Sequence, residues 1–193
     1  MNPHEVLDVM ERHGAIQRGH FRLSSGRHSD VYVQKFRVLE HPPLTASLGA
    51  ALADQFESRF ACVASPAVGA VVLGFSVALA AAARSIFAER VDGRLELRRG
   101  FAVKPREEVL VVEDVVTTGG SARELLDLVR GVGATVVGVG ALLDRTTAGA
   151  PPDFGAPFRA LARLDADSWD PDRCPACAAG EPLDDPGSRR LPR

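Results

Sequence analysis

One segment, residues 109–122, constrains the fold of this chain more than any other. It reads Val-Leu-Val-Val-Glu-Asp-Val-Val-Thr-Thr-Gly-Gly-Ser-Ala, so an apolar run ends in two adjacent carboxylates, Glu113 and Asp114. A short loop of Thr, Gly and Ser follows, and residues 121–131 have the pattern of a helix. The apolar residues at 108–113 predict a strand buried on both faces, which is typical of a parallel sheet covered by helices.

The rest of the chain repeats this alternation of apolar strands and helices. We predict helices at about 3–15, 42–57 and 70–84, and strands at 31–36, 61–65, 85–88, 135–143 and 158–164. The polar stretch 89–100 predicts a mobile hairpin or loop, and the tail from about residue 165 an irregular segment. We therefore expect a single α/β domain over residues 1–193, with a central parallel sheet flanked by helices.

Composition limits the classes of partner. The chain has 193 residues, 46% of them hydrophobic, and a formal net charge of −2. This charge gives no reason to expect nucleic acid or an anionic membrane as a partner, so an anionic ligand must be held by a local pocket. The sequence has no apolar run of about 18 residues, no signal-peptide pattern at its beginning and only three cysteines. We expect a cytoplasmic protein.

The loop after the two carboxylates has the features of a phosphate cradle. A helix N-terminus offers unpaired N–H groups and a partial positive charge, and Gly119 and Gly120 let the backbone approach a ligand closely. The hydroxyls of Thr117, Thr118 and Ser121 add donors. At the carboxyl end of a strand, the paired carboxylates can accept hydrogen bonds from the vicinal hydroxyls of a sugar or bind the waters of Mg²⁺.

Two other phosphate-binding patterns do not fit. The sequence contains no Gly-x4-Gly-Lys-Ser/Thr motif, which excludes a P-loop. A dinucleotide fingerprint needs Gly-x-Gly-x-x-Gly after the first strand, whereas Gly138-Val-Gly140 lies inside an apolar strand pattern. We assign these two glycines to packing.

Residues 109–122 resemble the phosphoribosyl pyrophosphate-binding motif of type I phosphoribosyltransferases. Three further segments are similar to orotate phosphoribosyltransferases within that group: the Phe-x-Leu-x-Ser-Gly hood segment in residues 21–33, the pyrophosphate turn Pro66-Ala-Val-Gly69, and Leu142-Leu-Asp-Arg145. The resemblance covers roughly residues 20–147. It implies a type I phosphoribosyltransferase fold with a small hood subdomain, which together with the N-terminal helix takes up about residues 1–36, and a C-terminal tail over about 165–193.

The resemblance also implies an activity and roles for individual residues. The activity is transfer of the 5-phosphoribosyl group from phosphoribosyl pyrophosphate (PRPP) to orotate, in pyrimidine biosynthesis. The implied PRPP contacts are Glu113 and Asp114 on the ribose, Val115, Val116, Thr117, Thr118, Gly119, Gly120 and Ser121 around the 5-phosphate, and Arg90 on the pyrophosphate. Arg90 and Asp114 would be catalytic, and Mg²⁺ would bind through PRPP without direct protein ligands. Orotate would contact Thr117, Arg145 and Tyr32, with Val33 near its flat face. A homodimer with shared active sites is implied.

The chain departs from the family pattern at three places. Ser24 replaces a lysine that is common in the hood, and Val68-Gly69 replaces a frequent Tyr-Lys pair. The stretch 89–100 has arginines at 90, 94, 98 and 99, whereas the family's flexible loop carries lysines and a histidine. Arginine can neutralise pyrophosphate, but it does not donate a proton at neutral pH. A purine-type phosphoribosyltransferase and a non-catalytic nucleotide-binding transcription regulator of the same fold therefore remain alternatives.

The cysteines and histidines complete the set of reactive residues. Cys62 lies in an apolar strand and is expected in the core. Cys174-Pro-Ala-Cys177 is expected to be a tight turn, with half of a zinc knuckle as the alternative if His or Cys elsewhere completes it. The five histidines show no metal-ligand spacing on one element, and we expect most of them at the surface, with His28 near the site.

Overall fold

The computed structural model describes residues 1–23, 25–57, 59–146 and 152–186, so the predicted turn residue Ser24 lies outside the described part. The helices are α1 (Pro3–Arg12), α2 (Phe36–Leu39), α3 (Pro42–Ala53), α4 (Val71–Ala80), α5 (Gly120–Gly131) and α6 (Pro175–Ala178). The strands are β1 (Ile16–Arg22), β2 (His28–Val33), β3 (Cys62–Pro66), β4 (Arg84–Val91), β5 (Arg94–Leu97), β6 (Glu108–Val116), β7 (Thr135–Asp144), β8 (Phe158–Arg163) and β9 (Ser168–Trp169).

Six strands form the main sheet in the order β5-β4-β3-β6-β7-β8. All neighbouring pairs are parallel except β4 with β5. The parallel α/β architecture is therefore confirmed. Strand β6, which carries Glu113 and Asp114, lies between β3 and β7, so its carboxyl end is near the middle of the sheet edge where ligands bind in such folds.

Apolar side chains cover both faces of this sheet. On one face, helices α1, α3 and α4 contribute a cluster that includes Met10, Leu48 and Leu73. On the other face, α5 contributes Leu125 and Val129 to a second cluster with β3, β4 and β6. The continuous apolar run of β6 follows from this, because its successive side chains enter opposite clusters and both are buried.

The two glycines of β7 serve packing, as expected. A Cβ at Gly138 would lie 2.5 Å from the Phe56 ring, and one at Gly140 would lie 3.3 Å from both Leu52 and Phe56. Glycine at these positions lets α3 and the residues after it lie close against the sheet. The pair thus has no role in binding a dinucleotide.

A second sheet of three strands, β1-β2-β9, forms the hood. The predicted strand at 31–36 was placed too far along the chain, because β2 ends at Val33 and Phe36 begins α2. Strand β1 was not predicted at all. A register shift between Arg18 and Phe21 interrupts its pairing with β2, so its side chains do not follow the regular alternation that identifies a strand.

The tail is more ordered than expected. It adds β9 to the hood, followed by a 3₁₀ turn (Pro171–Arg173) and the helical turn α6. Arg27 of the hood donates hydrogen bonds to the Ser168 carbonyl and to the Asp170 carboxylate, both at 2.6 Å. These contacts fix the C-terminal segment on the hood. Because the order of the tail depends on contacts with residues far away in the sequence, its composition alone indicated an irregular segment.

The polar stretch 89–100 contains the β4–β5 hairpin, which confirms the hairpin alternative. Asp92 and Gly93 form its two-residue turn, and both have positive φ, 47° and 85°. Asp-Gly in this position is the usual sequence of a type I′ turn, which matches the twist of the flanking strands. Separately, no helix in the described ranges is long and apolar enough to cross a membrane.

Candidate active site

The end of β6 and the beginning of α5 enclose a cavity of about 410 Å³. Its lining comprises Arg90, Glu113, Val115, Val116, Thr117, Thr118, Gly119, Gly120, Ser121 and Glu124. All of these except Glu124 are residues expected to contact PRPP. The sequence therefore located the cradle because strand, loop and helix are contiguous in the chain.

Gly119 gives the loop its shape. It precedes the first residue of α5 with φ +74°, a left-handed conformation that favours glycine. A Cβ here would lie 2.9 Å from the Phe154 ring and 3.0 Å from Pro152. Glycine is therefore favoured at this position for two reasons: its backbone angle and its close approach to the segment that contains Pro152 and Phe154. In this conformation the first turn of α5, whose N–H groups are unpaired, faces the cavity.

Asp114 at the end of β6 is paired with a lysine that the sequence analysis did not identify. The Lys35 Nζ lies 2.8 Å from Asp114 Oδ2. A Cβ at Gly69 would fall 1.8 Å from the same carboxylate oxygen and 2.8 Å from the lysine Nζ. The pyrophosphate turn predicted at 66–69 therefore lies directly against the ribose carboxylate, and Gly69 leaves space for the ion pair.

Glu113 has different surroundings from its neighbour. Its side chain is buried and accepts a hydrogen bond from the backbone N–H of Asp114 at 3.0 Å. Burial first, and then the nearby Asp114 carboxylate, raise the pKa of Glu113 to about 8. At neutral pH the glutamic acid is therefore protonated before a ligand arrives. A protonated carboxyl can donate one hydrogen bond as well as accept, which suits a hydroxyl-rich sugar.

Arg90 reaches the cavity from β4. Its Nη2 forms an ion pair with Glu124 Oε2 at 3.0 Å, and its Nη1 donates to the Gly93 carbonyl of the hairpin turn. Glu124, one turn into α5, also accepts from the Leu95 backbone N–H, so it joins the hairpin to the cradle. Of the other hairpin arginines, Arg99 forms a two-point ion pair with Glu89, at 2.9 and 2.8 Å.

Arg145 and Thr117 lie side by side next to the cradle. Val116 pairs with Asp144 in the β6–β7 register. Thr117 and Arg145 are the next residues after these two neighbouring strands, so their backbones are adjacent. The Arg145 guanidinium donates to the Val31 carbonyl of the hood at 3.4 Å and forms no ion pair with any described residue. Burial lowers the pKa of Arg145, with Asp30 acting in the opposite direction. A half-buried cation that forms no ion pair is well placed to bind an anionic ligand.

The two hood residues expected near the base occupy different environments. Val33 packs against the main core cluster. Tyr32 lies against the Phe21 ring at a centroid distance of 5.7 Å, and its hydroxyl donates to the Pro186 carbonyl at 3.4 Å. The structure thus brings Thr117 and Arg145 together, while Tyr32 contacts the C-terminal segment on the hood.

Comparison with known proteins agrees with this geometry. Residues 46–160 match the phosphoribosyl transferase domain family. The chain is 44% identical to the orotate phosphoribosyltransferase of Desulforamulus reducens over 99% of this chain and 100% of that one. It is 48% identical to that of Thermotoga maritima over 96% of this chain and 99% of the relative. The chain belongs to the orotate phosphoribosyltransferase family.

Solved structures of this family have the same fold. The orotate phosphoribosyltransferase of Aeropyrum pernix superposes with a TM-score of 0.69 at 27% identity, over 82% of this chain and 93% of that chain. That of Mycobacterium tuberculosis H37Rv in complex with PRPP gives a TM-score of 0.63 at 26% identity, over 83% and 94%. An adenine phosphoribosyltransferase of Rhodothermus marinus, at 21% identity and a TM-score of 0.65, shares the fold. Membership of the orotate phosphoribosyltransferase family confirms the type I fold.

Proposed function

We propose that this chain transfers the 5-phosphoribosyl group from PRPP to orotate, giving orotidine 5′-phosphate and pyrophosphate in pyrimidine biosynthesis. One observation carries the choice of base: Arg145 follows the end of β7, next to the strand that leads into the cradle, and its guanidinium forms no ion pair with a described residue. Orotate is a planar carboxylate, and a guanidinium can bind a carboxylate through two parallel hydrogen bonds. A neutral purine would leave this charge unpaired.

The cradle and Arg145 together position the reacting groups. Thr117, Thr118, Gly120 and Ser121 hold the 5-phosphate at the helix N-terminus, and Glu113 and Asp114 hold the ribose hydroxyls. Arg145 holds the orotate carboxylate so that its ring nitrogen faces C1 of the ribose. The bond from C1 to the pyrophosphate oxygen breaks as the nitrogen–C1 bond forms. Positioning of this kind is a large part of catalysis for such a displacement.

The leaving pyrophosphate is stabilised by charge. Arg90 lines the cavity and is the residue that the family resemblance places on the pyrophosphate. Arg90 forms an ion pair with Glu124. When PRPP binds, the Arg90 guanidinium would leave the Glu124 carboxylate and bind phosphate oxygens. Preorganised cations that meet developing negative charge lower the barrier without reorganisation of water.

Mg²⁺ is the cofactor that this site fits. Glu113, which lines the cavity, and its chain neighbour Asp114 supply oxygen atoms, the donor type that Mg²⁺ prefers. The two carboxylates would hold the ion through its waters and the ribose hydroxyls, without direct protein ligands. When bound, Mg²⁺ would neutralise charge on the pyrophosphate.

Two other functions account for fewer of these features. A purine-type enzyme shares the cradle and the fold but has no evident use for Arg145 next to Thr117. A non-catalytic regulator is favoured by the lysines missing from 89–100, yet the cradle, Asp114 and Arg90 are all in place. A regulator that binds nucleic acid would also need a basic face, and the net charge is −2.

We also propose a homodimer with shared active sites, located in the cytoplasm. Helix α4 supports the dimer, since its side chains Val72, Phe75 and Leu79 are exposed at positions that fall on one helical face. Arg94 at the hairpin turn is exposed and forms no ion pair with a described residue, so it is free to reach a neighbouring subunit. The three free cysteines are consistent with a reducing compartment.

The test is pyrophosphate release from PRPP and Mg²⁺, with orotate, uracil, hypoxanthine or adenine supplied in parallel. Release with orotate alone supports the proposal. Release with a purine would reassign the base, and tight PRPP binding with no release on any base would favour the regulator.

Arg145→Ala tests the observation that selects orotate. Loss of a two-point charged contact is expected to raise KM for orotate by about 10²-fold, while KM for PRPP changes little. Arg145→Lys keeps the charge but not the forked geometry and should recover only part of the loss. Arg159→Ala, at an exposed arginine of β8, is the matched control. An unchanged KM for orotate in Arg145→Ala would contradict the assignment.

A further inference from the structure

Four potential metal ligands from distant parts of the chain meet beneath the hood. They are His20 of β1, His28 of β2, and Cys174 and Cys177 of the C-terminal segment, and their ligand atoms all lie within 4.8 Å of one another. Both histidines are 5% exposed, whereas His4, His13 and His41 are exposed, as expected for most of the histidines. Cys174-Pro-Ala-Cys177 therefore has the second pair of ligands that the sequence alone could not supply.

The distances match tetrahedral coordination. His20 Nε2 lies 3.1 Å from His28 Nδ1, 3.4 Å from Cys174 Sγ and 3.6 Å from Cys177 Sγ, and Cys177 Sγ lies 3.2 Å from His28 Nδ1. A tetrahedral zinc ion with ordinary bond lengths separates two nitrogens by about 3.3 Å and a nitrogen from a sulfur by about 3.5 Å. The four atoms are thus already arranged around a point that a zinc ion would occupy.

The surroundings of His20 support coordination through its Nε2. The other ring nitrogen, Nδ1, lies 3.1 Å from the Glu181 carbonyl oxygen and can donate its proton there. That arrangement leaves Nε2 unprotonated and directed at the cluster, as in metal-binding histidines whose second nitrogen is held by a carbonyl. A neutral hydrogen-bonded core explains the cluster less well, since the single lone pair of Nε2 can accept a hydrogen bond from only one of its three close neighbours.

The four-residue cluster lies apart from the main core, which the hood joins through Ile16 and Val31. None of its four metal-binding side chains belongs to the two main apolar clusters. Small units with a limited apolar core are commonly stabilised by a structural metal. Here the ligands come from β1, β2 and the residues after β9, so a metal would join the hairpin to the C-terminal segment.

We propose that His20, His28, Cys174 and Cys177 bind one structural Zn²⁺ that fastens the C-terminal segment to the hood. All four tetrahedral positions are filled by protein ligands, which is the arrangement of structural zinc sites. None of the four residues lines the phosphate cavity, so the ion is separate from Mg²⁺ and from the transfer reaction.

The first experiment measures metal in the full chain, purified without chelator and then loaded with zinc alone. Elemental analysis is expected to find one zinc per chain, and Co²⁺ in its place should give the visible bands and sulfur charge-transfer band of a tetrahedral Cys₂His₂ site. A chain that retains no zinc and shows neither band would overturn the proposal.

Matched variants locate the ion. Cys174→Ser with Cys177→Ser should lose the zinc, whereas Cys62→Ala and His13→Asn, which alter a cysteine and a histidine outside the cluster, should retain it. Zinc retained in the double serine variant would overturn the assignment of ligands. If that variant fails to fold, His28→Gln with the Co²⁺ spectrum gives the same test, since loss of one nitrogen ligand must change the bands. These measurements do not require catalysis, so failure of the transfer assay would leave them interpretable.

Discussion

Glu113 and Asp114 are adjacent in the chain, yet they have separate tasks because one has a cationic partner and the other does not. Lys35 compensates the charge of Asp114 at 2.8 Å. Glu113 is buried beside that carboxylate, and its pKa is raised from 4.5 to about 8. Asp114 thus has a cationic partner, whereas Glu113 holds a proton at neutral pH and can donate a hydrogen bond as well as accept one.

The raised pKa has a measurable cost in stability. Between pH 4.5 and about 8 the folded state binds a proton that the unfolded state has lost, so the contribution of Glu113 is complete below pH 4.5 and is lost as the pH rises through 8. Glu113→Gln removes this dependence. The free energy of unfolding of the variant relative to wild type should therefore increase with pH, by at most about 1.4 kcal/mol per pH unit.

Urea denaturation at several pH values between 5 and 8 measures this difference. Glu108→Gln, at an exposed residue of the same strand, is the control and should follow the wild-type curve. Parallel curves for wild type and Glu113→Gln would show that burial does not hold the proton on this residue.

At the level of residues, sequence reasoning found what is local and missed what the topology assembles. The cradle residues from Glu113 to Ser121 are contiguous, so their pattern identified them directly. Lys35 and Glu124 were missed because their contacts with Asp114 and Arg90 depend on how strands and helices are arranged in space. The same applies to His20 and His28, whose ring nitrogens meet only because β1 and β2 pair.

At the level of elements, the turn from β6 into α5 is the part most sensitive to substitution. Gly119→Ala places a Cβ 2.9 Å from the Phe154 ring at φ +74°. We expect the free energy of unfolding to fall by roughly 1–3 kcal/mol and PRPP affinity to fall by about tenfold or more, because the loop must shift away from the phosphate.

Gly131→Ala is the matched control at the other end of α5. No atom lies within 4 Å of its Cβ position, and alanine in a helix is expected to stabilise by about 0.5–1 kcal/mol. Thermal unfolding and titration with PRPP compare the two variants. Equal PRPP affinity in Gly119→Ala and wild type would contradict the role of this turn.

Elements with strong patterns were predicted and irregular ones were not. The apolar runs of β3, β6 and β7 correspond to buried strands. Helices α3 and α4 end earlier than predicted, at Ala53 and Ala80. After α4 the apolar pattern continues through three further alanines, so composition did not mark the helix end. The Asp92-Gly93 turn was available in the sequence as a hairpin signal, and it defines the β4–β5 hairpin that brings Arg90 to the cavity.

At the level of the whole molecule, the exposed face of α4 is the surface on which the proposed dimer can be tested. Phe75 is 60% exposed and Leu79 is 67% exposed. If this face forms the proposed dimer interface, Phe75→Glu buries a charge there and should convert the protein to a monomer in light scattering coupled to gel filtration. Transfer activity should fall with it, since the active sites are shared.

Val132→Glu is the control for that experiment. Val132 is 44% exposed just after α5, away from α4, so a charge there should leave the dimer intact. Retention of the dimer by Phe75→Glu would place the interface on another surface.

The general architecture was predictable because alternating apolar strands and helices permit few arrangements. The resemblance implied a hood within residues 1–36, but not its third strand, because β9 comes from the C-terminal segment and pairs with β2. Arg27 illustrates the difficulty. Its hydrogen-bond partners are Ser168 and Asp170, and all the strands of the main sheet lie between them and Arg27 in the sequence.

That arrangement has a consequence for the order of folding during synthesis. All strands of the main sheet and the phosphate cradle are made before residue 165, whereas the hood needs residues 168–184 to pair with β1 and β2. During synthesis on the ribosome, the main sheet can form while the β1–β2 hairpin is still without its third strand, β9. The chain therefore completes the hood after the main sheet.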